Sequence, residues 1–372
     1  MGKYPRLTVN HNELRSNMKQ IVDWCKDAGI EVAGVIKATT GMASVALDYE
    51  SSGAKWIASS RLEQLVRTKE EGVKIPLMMI RVPMISEIPE MIKICDWSLQ
   101  SEFSTIKALD EEASKAGKIH SVILMADLGD LREGFFEIEE LIDVSKYIEE
   151  KCDAVHLAGI GTNLGCYGSV VPTKEKMQQL VDYAETIESA IGRRLEIISG
   201  GATSSLMPVF DGVMPKRINH LRIGAVALCG PMEDLKQNYG RDEVDVLSGD
   251  GFILEAEVIE VKTKPSHPIG KLGVDAFGKK RKYKDRGLRQ RALLAVGRQD
   301  HGDIDNIIPI AEGVEVIGAS GDHTILDIED CRDIIRVGDV MKFRLSYSGL
   351  LYLSSSENVS VNEVDRLYGI KI

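Results

Sequence analysis

The run "VAGVIKATTGM", Val32 to Met42, decides the fold. Small and β-branched residues lead into Lys37, and small polar residues follow, so the run reads as a buried strand ending on a cation. Lysine is almost never fully buried unless it is paired or functional. Two readings of Lys37 stand at this point. It closes the strand and snorkels to solvent, or it works at a strand end with neighbours supplied from elsewhere in the chain.

Working outward, further strand-like runs follow: "KWIASS", "PLMMIR", "CDWSLQ", "SVILMAD", "AVHLAGIGT", "LEIISGG" and "NHLRIGAV". Helical patterns such as "SRLEQLVRTKEEG", "EFSTIKALDEEASKAG", "FFEIEELIDVSKYIEEK" and "TKEKMQQLVDYAETIESAIG" separate them. A preceding helix, "NELRSNMKQIVDWCKDAGI", places Leu14, Met18, Ile21, Val22 and Cys25 on one face, and Gly29 can stop it. Strands alternating with helices are the mark of parallel βαβ units. Counting the Lys37 strand, eight in roughly 200 residues fit a closed (β/α)8 TIM barrel better than an open doubly wound sheet.

After Pro231 the texture changes. "GFILEAEVIEVKTK", "RQRALLAVG", "GVEVIGAS", "HTILDI" and "DVMKFRLSY" are strand-like, with Gly, Asp and Pro turns and little helix. The expectation is an α/β barrel domain over residues 1–235 and a mostly β domain over 236–372, with residues 4–9 pairing with the second domain. The join falls in "EDLKQNYGRDEVDVLSGDG".

Composition excludes several classes. A net charge of -11 argues against a nucleic-acid partner, since phosphate backbones are held by clustered positive charge. No apolar stretch reaches the roughly 18 residues of a membrane span, and the first residues carry no apolar targeting run. The six cysteines are scattered, without CxxC pairs, as suits reduced thiols in the cytoplasm. "GRQDHGDID", with Asp300 and His301, superficially suggests metal ligands, but loop Asp and His are common and no metal is expected.

Active sites of (β/α)8 barrels lie at the C-terminal ends of the strands. Here those ends carry Lys37, Ser59, Arg81, Gln100, Asp127, Thr162 with Asn163, Ser199 with Gly200, and Arg222. "SGGATSSLMP" follows the seventh strand and "RIGAV" lies at the eighth. Paired glycines let backbone approach a ligand, and Thr203 and Ser204 add hydroxyls and amides at a helix start, which favours an anion. A glycine turn with Ser/Thr capping is the plain alternative. Loops after strands seven and eight are nonetheless a barrel's usual phosphate site. A strand-end lysine facing a phosphate grip suits two chemistries: covalent capture of pyridoxal phosphate by the amine, or capture of a carbonyl substrate, as in aldolases.

At these residues the chain resembles the alanine racemase-like, fold-type III pyridoxal-phosphate enzymes. The resemblance runs over nearly the whole length. "PRLTVNHNELRSNM" is similar to the family's opening strand and helix and "GVIKATTG" to its cofactor-lysine segment. "DLGDLREG", "GIGTN", "GGATSS" and "LRIGAVALCG" follow in the family's order, and "GDHTILDI" and "LSYSG" match in the β domain. "GIGTNLGCYG", "KPSHPIGKLGVDAFG" and "GDHTILDI" are most similar to the ornithine racemase branch.

The resemblance implies roles residue by residue. Lys37 would hold the cofactor and act as one acid/base on Cα, and Arg132 would approach the cofactor's phenolic oxygen. Asn163 stands where many relatives have a histidine beneath the ring. Thr203, Ser204, Gly224 and Ala225 would contact the phosphate, with Tyr347 completing the grip from the β domain. Arg222 would face the pyridine nitrogen. A guanidinium does not readily lose its proton, so that nitrogen stays unprotonated and the ring is a weaker electron sink, which favours reprotonation at Cα. Relatives present a tyrosine from the partner subunit as second base. Here "GVDAFGKKRKY" puts Ala276 or Phe277 near that position, and Asp275 and Tyr283 are the nearby candidates. Asp322 matches a position that reaches the partner's site, where it would pair with a distal ammonium; a solvated turn is the alternative.

The resulting expectation is a cytoplasmic pyridoxal-phosphate amino-acid racemase, a head-to-tail homodimer, with ornithine the favoured amino-acid substrate. Alanine, serine or lysine racemisation, or pyridoxal phosphate binding without turnover, are the competing readings.

Overall fold

The computed structural model describes residues 3–275, 277–278, 280 and 282–365. The chain divides into two compact units. One is Asn12–Ser248; the other joins the chain up to His11 with the chain from Gly249 onward.

Strand β1 (Arg6–Asn10) belongs to the second unit and runs straight into helix α1 (His11–Asp27). Helix α1 buries Leu14, Met18, Ile21 and Cys25 and stops before Gly29, whose φ of 74° suits a residue without a Cβ. The barrel strands follow as β2 (Glu31–Val35), β3 (Trp56–Ser59), β4 (Leu77–Met79), β5 (Trp97–Gln100), β6 (His120–Met125), β7 (Val155–Gly161), β8 (Ile197–Ser199) and β9 (His220–Ile223). They form a closed ring in that order, and parallel pairing of β2 with β9 completes it. Intervening helices are α2 (Ala43–Ser51), α3 (Leu62–Glu70), α4 (Ile88–Ile94), α5 (Phe103–Ala116), α6 (Ile138–Lys151) and α7 (Lys174–Ile191). The eight-stranded barrel read from the alternating pattern is therefore present.

Strand alternation fills the ring. On β2, Ala33 and Val35 join an interior cluster with Trp56, Ala58, Met78, Leu99, Ile123 and Met125. Gly34 faces the other way, where a Cβ would lie 2.5 Å from the Tyr49 ring of α2. Trp56 and Trp97 meet edge to face at 5.7 Å, giving the interior its bulk.

The two units meet in sequence at Ser248, thirteen residues beyond the expected boundary at 235/236. Helix α8 (Leu206–Phe210), α9 (Ala225–Cys229) and α10 (Asp234–Gln237) all belong to the barrel unit. The polar surface of "EDLKQNYGRDEVDVLS" masks three anchors, since Leu235, Val244 and Leu247 are buried. Asn17 on α1 then ties down the segment's end, donating to the Ser248 carbonyl at 2.9 Å and accepting from its amide at 2.8 Å.

In the second unit the strands are β10 (Phe252–Pro265), β11 (Leu288–Leu294), β12 (Ile307–Pro309), β13 (Glu315–Ala319), β14 (Thr324–Asp327), β15 (Val340–Leu345) and β16 (Ser360–Val364). Their order is β12-β15-β10-β11-β14-β13, and β1 pairs antiparallel with β10 and parallel with β16. Strand β1 alternates cleanly, with Leu7 and Val9 buried, while Arg6 and Thr8 donate to the Glu255 carboxylate of β10 at 2.5 and 2.9 Å. Helix α11 (Arg298–His301) is short, but α12 (Tyr347–Ser355) departs from the strand expected through Tyr347. Ser346 ends the strand by capping α12, its hydroxyl accepting from the Gly349 amide at 3.1 Å.

The tightest backbone approach in the barrel is at Gly159. The β6–β7 register passes from Val122 opposite Leu157 to Ile123 opposite Gly159, leaving Ala158 as an extra residue. A Cβ at Gly159 would sit 1.9 Å from the Ile197 carbonyl oxygen of β8. Gly159→Ala is expected to destabilise the protein by about 3 kcal/mol, because neither backbone can yield without breaking the ladder. Urea melts of the two proteins check this, and an unchanged midpoint would refute it.

Candidate active site

The site is built where β7, β8 and β9 end. On β9, Leu221 and Ile223 are fully buried, while His220 and Arg222 occupy the alternate, inward positions. His220 packs edge to face on the interior Trp56 at 4.9 Å. Arg222 is only 4% exposed, and its guanidinium reaches across two neighbouring strands. One Nη donates to the Ser199 hydroxyl of β8 and the other to the Thr162 carbonyl beyond β7, at 2.9 Å for the latter. Burial pushes its pKa down to about 10, which leaves it charged at neutral pH.

Lys37 continues the inward series of Ala33 and Val35 on β2, at the start of a 3-10 turn over Lys37–Thr39. Its pKa lies below the ordinary lysine value, first because of burial and then because of the charges of Arg132 and Arg222; Cys166 and Glu133 act in the opposite sense. Lys37, Arg132, Arg222, Cys166 and Glu133 therefore share one electrostatic neighbourhood. Thr40 and Gly41 leave the turn with φ of 52° and 69°. Gly41 has no room for a side chain, since a Cβ would lie 2.3 Å from Gln64.

Beside β2, after the adjacent strands β8 and β9, come two glycine-led helix starts. Gly201 has φ 122°, and the turn Thr203–Ser205 follows, with α8 continuing it. Ser204 donates to the Leu164 carbonyl at 2.9 Å and Ser205 to the Gly200 carbonyl at 2.7 Å, so the β8 loop is tied to the β7 loop. Gly224 precedes α9, and a Cβ there would come within 3.1 Å of Val35. First-turn amides of such starts, here those of Ser204 and Ala225, have no acceptor inside the helix. Amides so placed can receive an anion.

The loops after β6 and β7 are knitted together. Asp127 accepts from the amides of Gly129 and Leu131 at 2.9 and 3.1 Å, shaping the turn that presents Arg132. Asp130, 1% exposed, accepts from the amides of Tyr167 and Val170 at 3.0 and 3.2 Å. Arg132 is paired with Glu133, which raises its pKa, and donates to the Cys166 sulfur at 2.8 Å. Asn163 is half-buried at the start of the β7 loop.

Other strand-end residues have structural duties. Ser59 donates to Gln64 at 2.5 Å, and Gln100 to Ser98 at 2.8 Å. Arg81 serves the Ser60 and Val82 carbonyls, both at 3.0 Å, and the Glu87 carboxylate. Sequence reasoning missed His220, Asp130, Glu133 and Cys166. Only His220 left a signal, standing two residues before Arg222 on the same strand.

The remaining candidates lie in the second unit. Asp275 and Tyr283 line one cavity of about 730 Å³ together with Lys282, Arg286, Arg291 and Glu315. Asp275 also accepts from the Phe277 amide at 2.9 Å, and Tyr283 meets His267 edge to face. The Phe277 ring takes the Arg298 guanidinium on its face at 4.6 Å; Ala276 lies outside the described residues. Asp322 is exposed, on a loop that Gly297 can approach only because it lacks a Cβ. Tyr347 is half-buried at the start of α12. His301 is buried between the Asp303 carbonyl at 2.9 Å and the Thr324 hydroxyl at 3.0 Å, a structural arrangement. Among the described residues no cluster of metal-ligating side chains occurs, and no helix is long and apolar enough to cross a membrane.

A parallel barrel with a lysine and a buried arginine at its mouth, covalently followed by a separate β unit, has the architecture of amino-acid racemases. Alanine racemase from Streptomyces lavendulae superposes with a TM-score of 0.73 over 98% of this chain and 99% of that one, at 16% identity, a likeness of fold. Sequence adds more. The chain is 39% identical to an ornithine racemase of Acetoanaerobium sticklandii, covering 96% of this chain and 98% of the relative. It is 41% identical to a lysine racemase of Thermotoga maritima, covering 95% and 96%. The pattern of the alanine racemase N-terminal domain matches residues 9–230. The chain belongs to the alanine racemase family and is an enzyme of the amino-acid racemase class.

Lys37 gives a test that needs no substrate. Its depressed pKa means the unfolded chain holds this proton more tightly than the folded one. The penalty is complete below the folded pKa and disappears as pH rises to the ordinary lysine value. Lys37→Met should therefore melt above the wild type at neutral pH, with the gap closing as pH rises to the ordinary lysine value of 10.5. Thermal melts across that range check it, and a variant less stable than wild type at pH 7 would contradict it.

Proposed function

We propose that the chain racemises a diamino acid with a distal ammonium group, ornithine first and lysine second, using pyridoxal phosphate bound at the barrel mouth. The single observation that carries the substrate is near-full-length identity of 39% to an ornithine racemase; the 41% identity to a lysine racemase supports the second.

The residues present fit the cofactor. Gly224 lies so close to Val35 that a Cβ would crowd it, leaving a bare backbone surface, and Thr203, Ser204 and Ala225 add a hydroxyl-bearing turn and amides for a phosphate. Pyridoxal phosphate, when bound, supplies an electron sink that acidifies the Cα hydrogen of an attached amino acid. Lys37 is the residue to carry it. Desolvation and neighbouring guanidinia favour the neutral amine, which is both nucleophile and base, so Lys37 takes and returns the Cα proton on its face. Arg222, fixed by Ser199 and Thr162, would face the ring nitrogen with a donor that keeps its proton, and Arg132 would approach the phenolic oxygen. Asn163 would stand on the ring's side with an amide where relatives have a histidine.

Racemisation needs a group on the far face of Cα. We assign that part to the second unit of a partner copy in a head-to-tail homodimer, with Asp275 and Tyr283 as the candidate acid/bases, Asp322 pairing with the distal ammonium, and Tyr347 completing the phosphate grip. The shared cavity of Asp275 and Tyr283 supports treating them as one cluster. All six cysteines are free, which supports a cytoplasmic location.

Incubation with pyridoxal phosphate and L-ornithine, L-lysine, L-alanine or L-serine in deuterated water tests this. Deuterium should enter Cα, with the D-enantiomer appearing, and kcat/KM for ornithine should exceed that for alanine by about 100-fold. Lys37→Ala should lower exchange by about 1,000-fold or more. Cofactor binding without Cα exchange of any amino acid would leave only a binding protein.

A further inference from the structure

Arg222 is held by a hydroxyl whose own direction is set from behind. Ser199 Oγ has one hydrogen and two lone pairs. It accepts from Arg222 Nη1, and its other neighbour is Nδ1 of His220 at 2.8 Å. His220 is fully buried, and desolvation together with the Arg222 charge pushes its pKa down to about 3, so one ring nitrogen carries a hydrogen and the other a lone pair. If Nδ1 carried the hydrogen, Ser199 would accept twice. Its own hydrogen and the Nε2 lone pair would then both be stranded in the barrel interior, because Nε2 has no hydrogen-bond partner among the described residues. If Nε2 carries it, Ser199 donates to Nδ1 and a single N–H is left over. That ring lies perpendicular to the Trp56 indole, with centroids 4.9 Å apart at 88°, so the imidazole is bordered by an aromatic neighbour that offers no conventional acceptor.

We infer that His220 is a positioning residue: as the Nε2–H tautomer it accepts the Ser199 hydrogen, which fixes the hydroxyl's rotation and holds a lone pair towards Arg222. The guanidinium is then pinned from both sides, by an obligate acceptor on β8 and by the Thr162 carbonyl. The consequence for the reaction rests on the role proposed for Arg222; the tautomer does not. A guanidinium free to swing aside no longer keeps a proton off the ring nitrogen. Reprotonation would then stray from Cα to the cofactor carbon; water would hydrolyse the remaining C=N bond, releasing the amino acid as its 2-oxo acid and leaving amine-form cofactor to accumulate.

Two measurements on the full chain loaded with pyridoxal phosphate decide the matter. Long-range 15N NMR of histidine-labelled protein should show one ring with Nε2 protonated and Nδ1 accepting, unchanged between pH 5 and 8. A Nδ1–H tautomer for His220, or an imidazolium forming in that range, overturns the inference. Conversion of cofactor to its amine form, counted per racemisation turnover by absorbance, should rise at least tenfold in Ser199→Ala and His220→Phe. It should return towards wild type in Ser199→Thr, which restores the hydroxyl. Equal loss of both reactions, with the ratio unmoved, would mark a merely structural role. Where His220→Phe fails to fold, the Ser199 pair carries the test alone. A wild type that neither racemises nor forms the amine sinks the proposed function, while the tautomer is still decided by NMR.

Discussion

Two cations share the mouth of one barrel, and the arrangement around them follows from that burden. Lys37 and Arg222 repel, and both are largely withdrawn from water. Removing charge from water is costly unless dipoles or counter-charges replace the solvent. Arg222 receives a hydroxyl and a carbonyl, both neutral, so its charge is oriented but not cancelled. The mouth therefore remains electropositive in a chain whose net charge is -11. An anion placed there would relieve the repulsion, and the two glycine-led helix starts beside Lys37 turn unpaired amides to the same need.

Much of this was legible in the sequence because the barrel writes itself in alternation. Strand ends follow from β-branched runs and glycine breaks, and the positions of Lys37 and Arg222 at the mouth follow from the count. What escaped was the layer that fixes them. His220 and Ser199 sit on different strands, and their contact depends on the register between β8 and β9, which no periodicity encodes. Asp130 escaped for a similar reason. Its partners are backbone amides some forty residues away, and amides carry no sequence signature.

The second unit was less legible. Its long strands were readable from hydrophobic runs, yet β12 is three residues long and β16 reads "SVNEV", with too little apolar character to announce a strand. The helix α12 hid behind a strand-like approach, because capping by Ser346 is a local hydrogen bond rather than a pattern. The domain limit also moved past a stretch whose polarity concealed Leu235, Val244 and Leu247.

Strand β1 joins segments far apart in sequence, since its partners β10 and β16 come from residues 252–265 and 360–364. Arg6 pairs with Glu255 and, on its other side, with Ser360. The second unit cannot close until the whole barrel has been made, because loop closure over such separations must precede the contacts that reward it. The barrel, in contrast, is assembled from neighbouring segments and can form first. Without β16, β1 would keep only its antiparallel pairing with β10, so one edge of this strand depends on a segment distant from it along the chain.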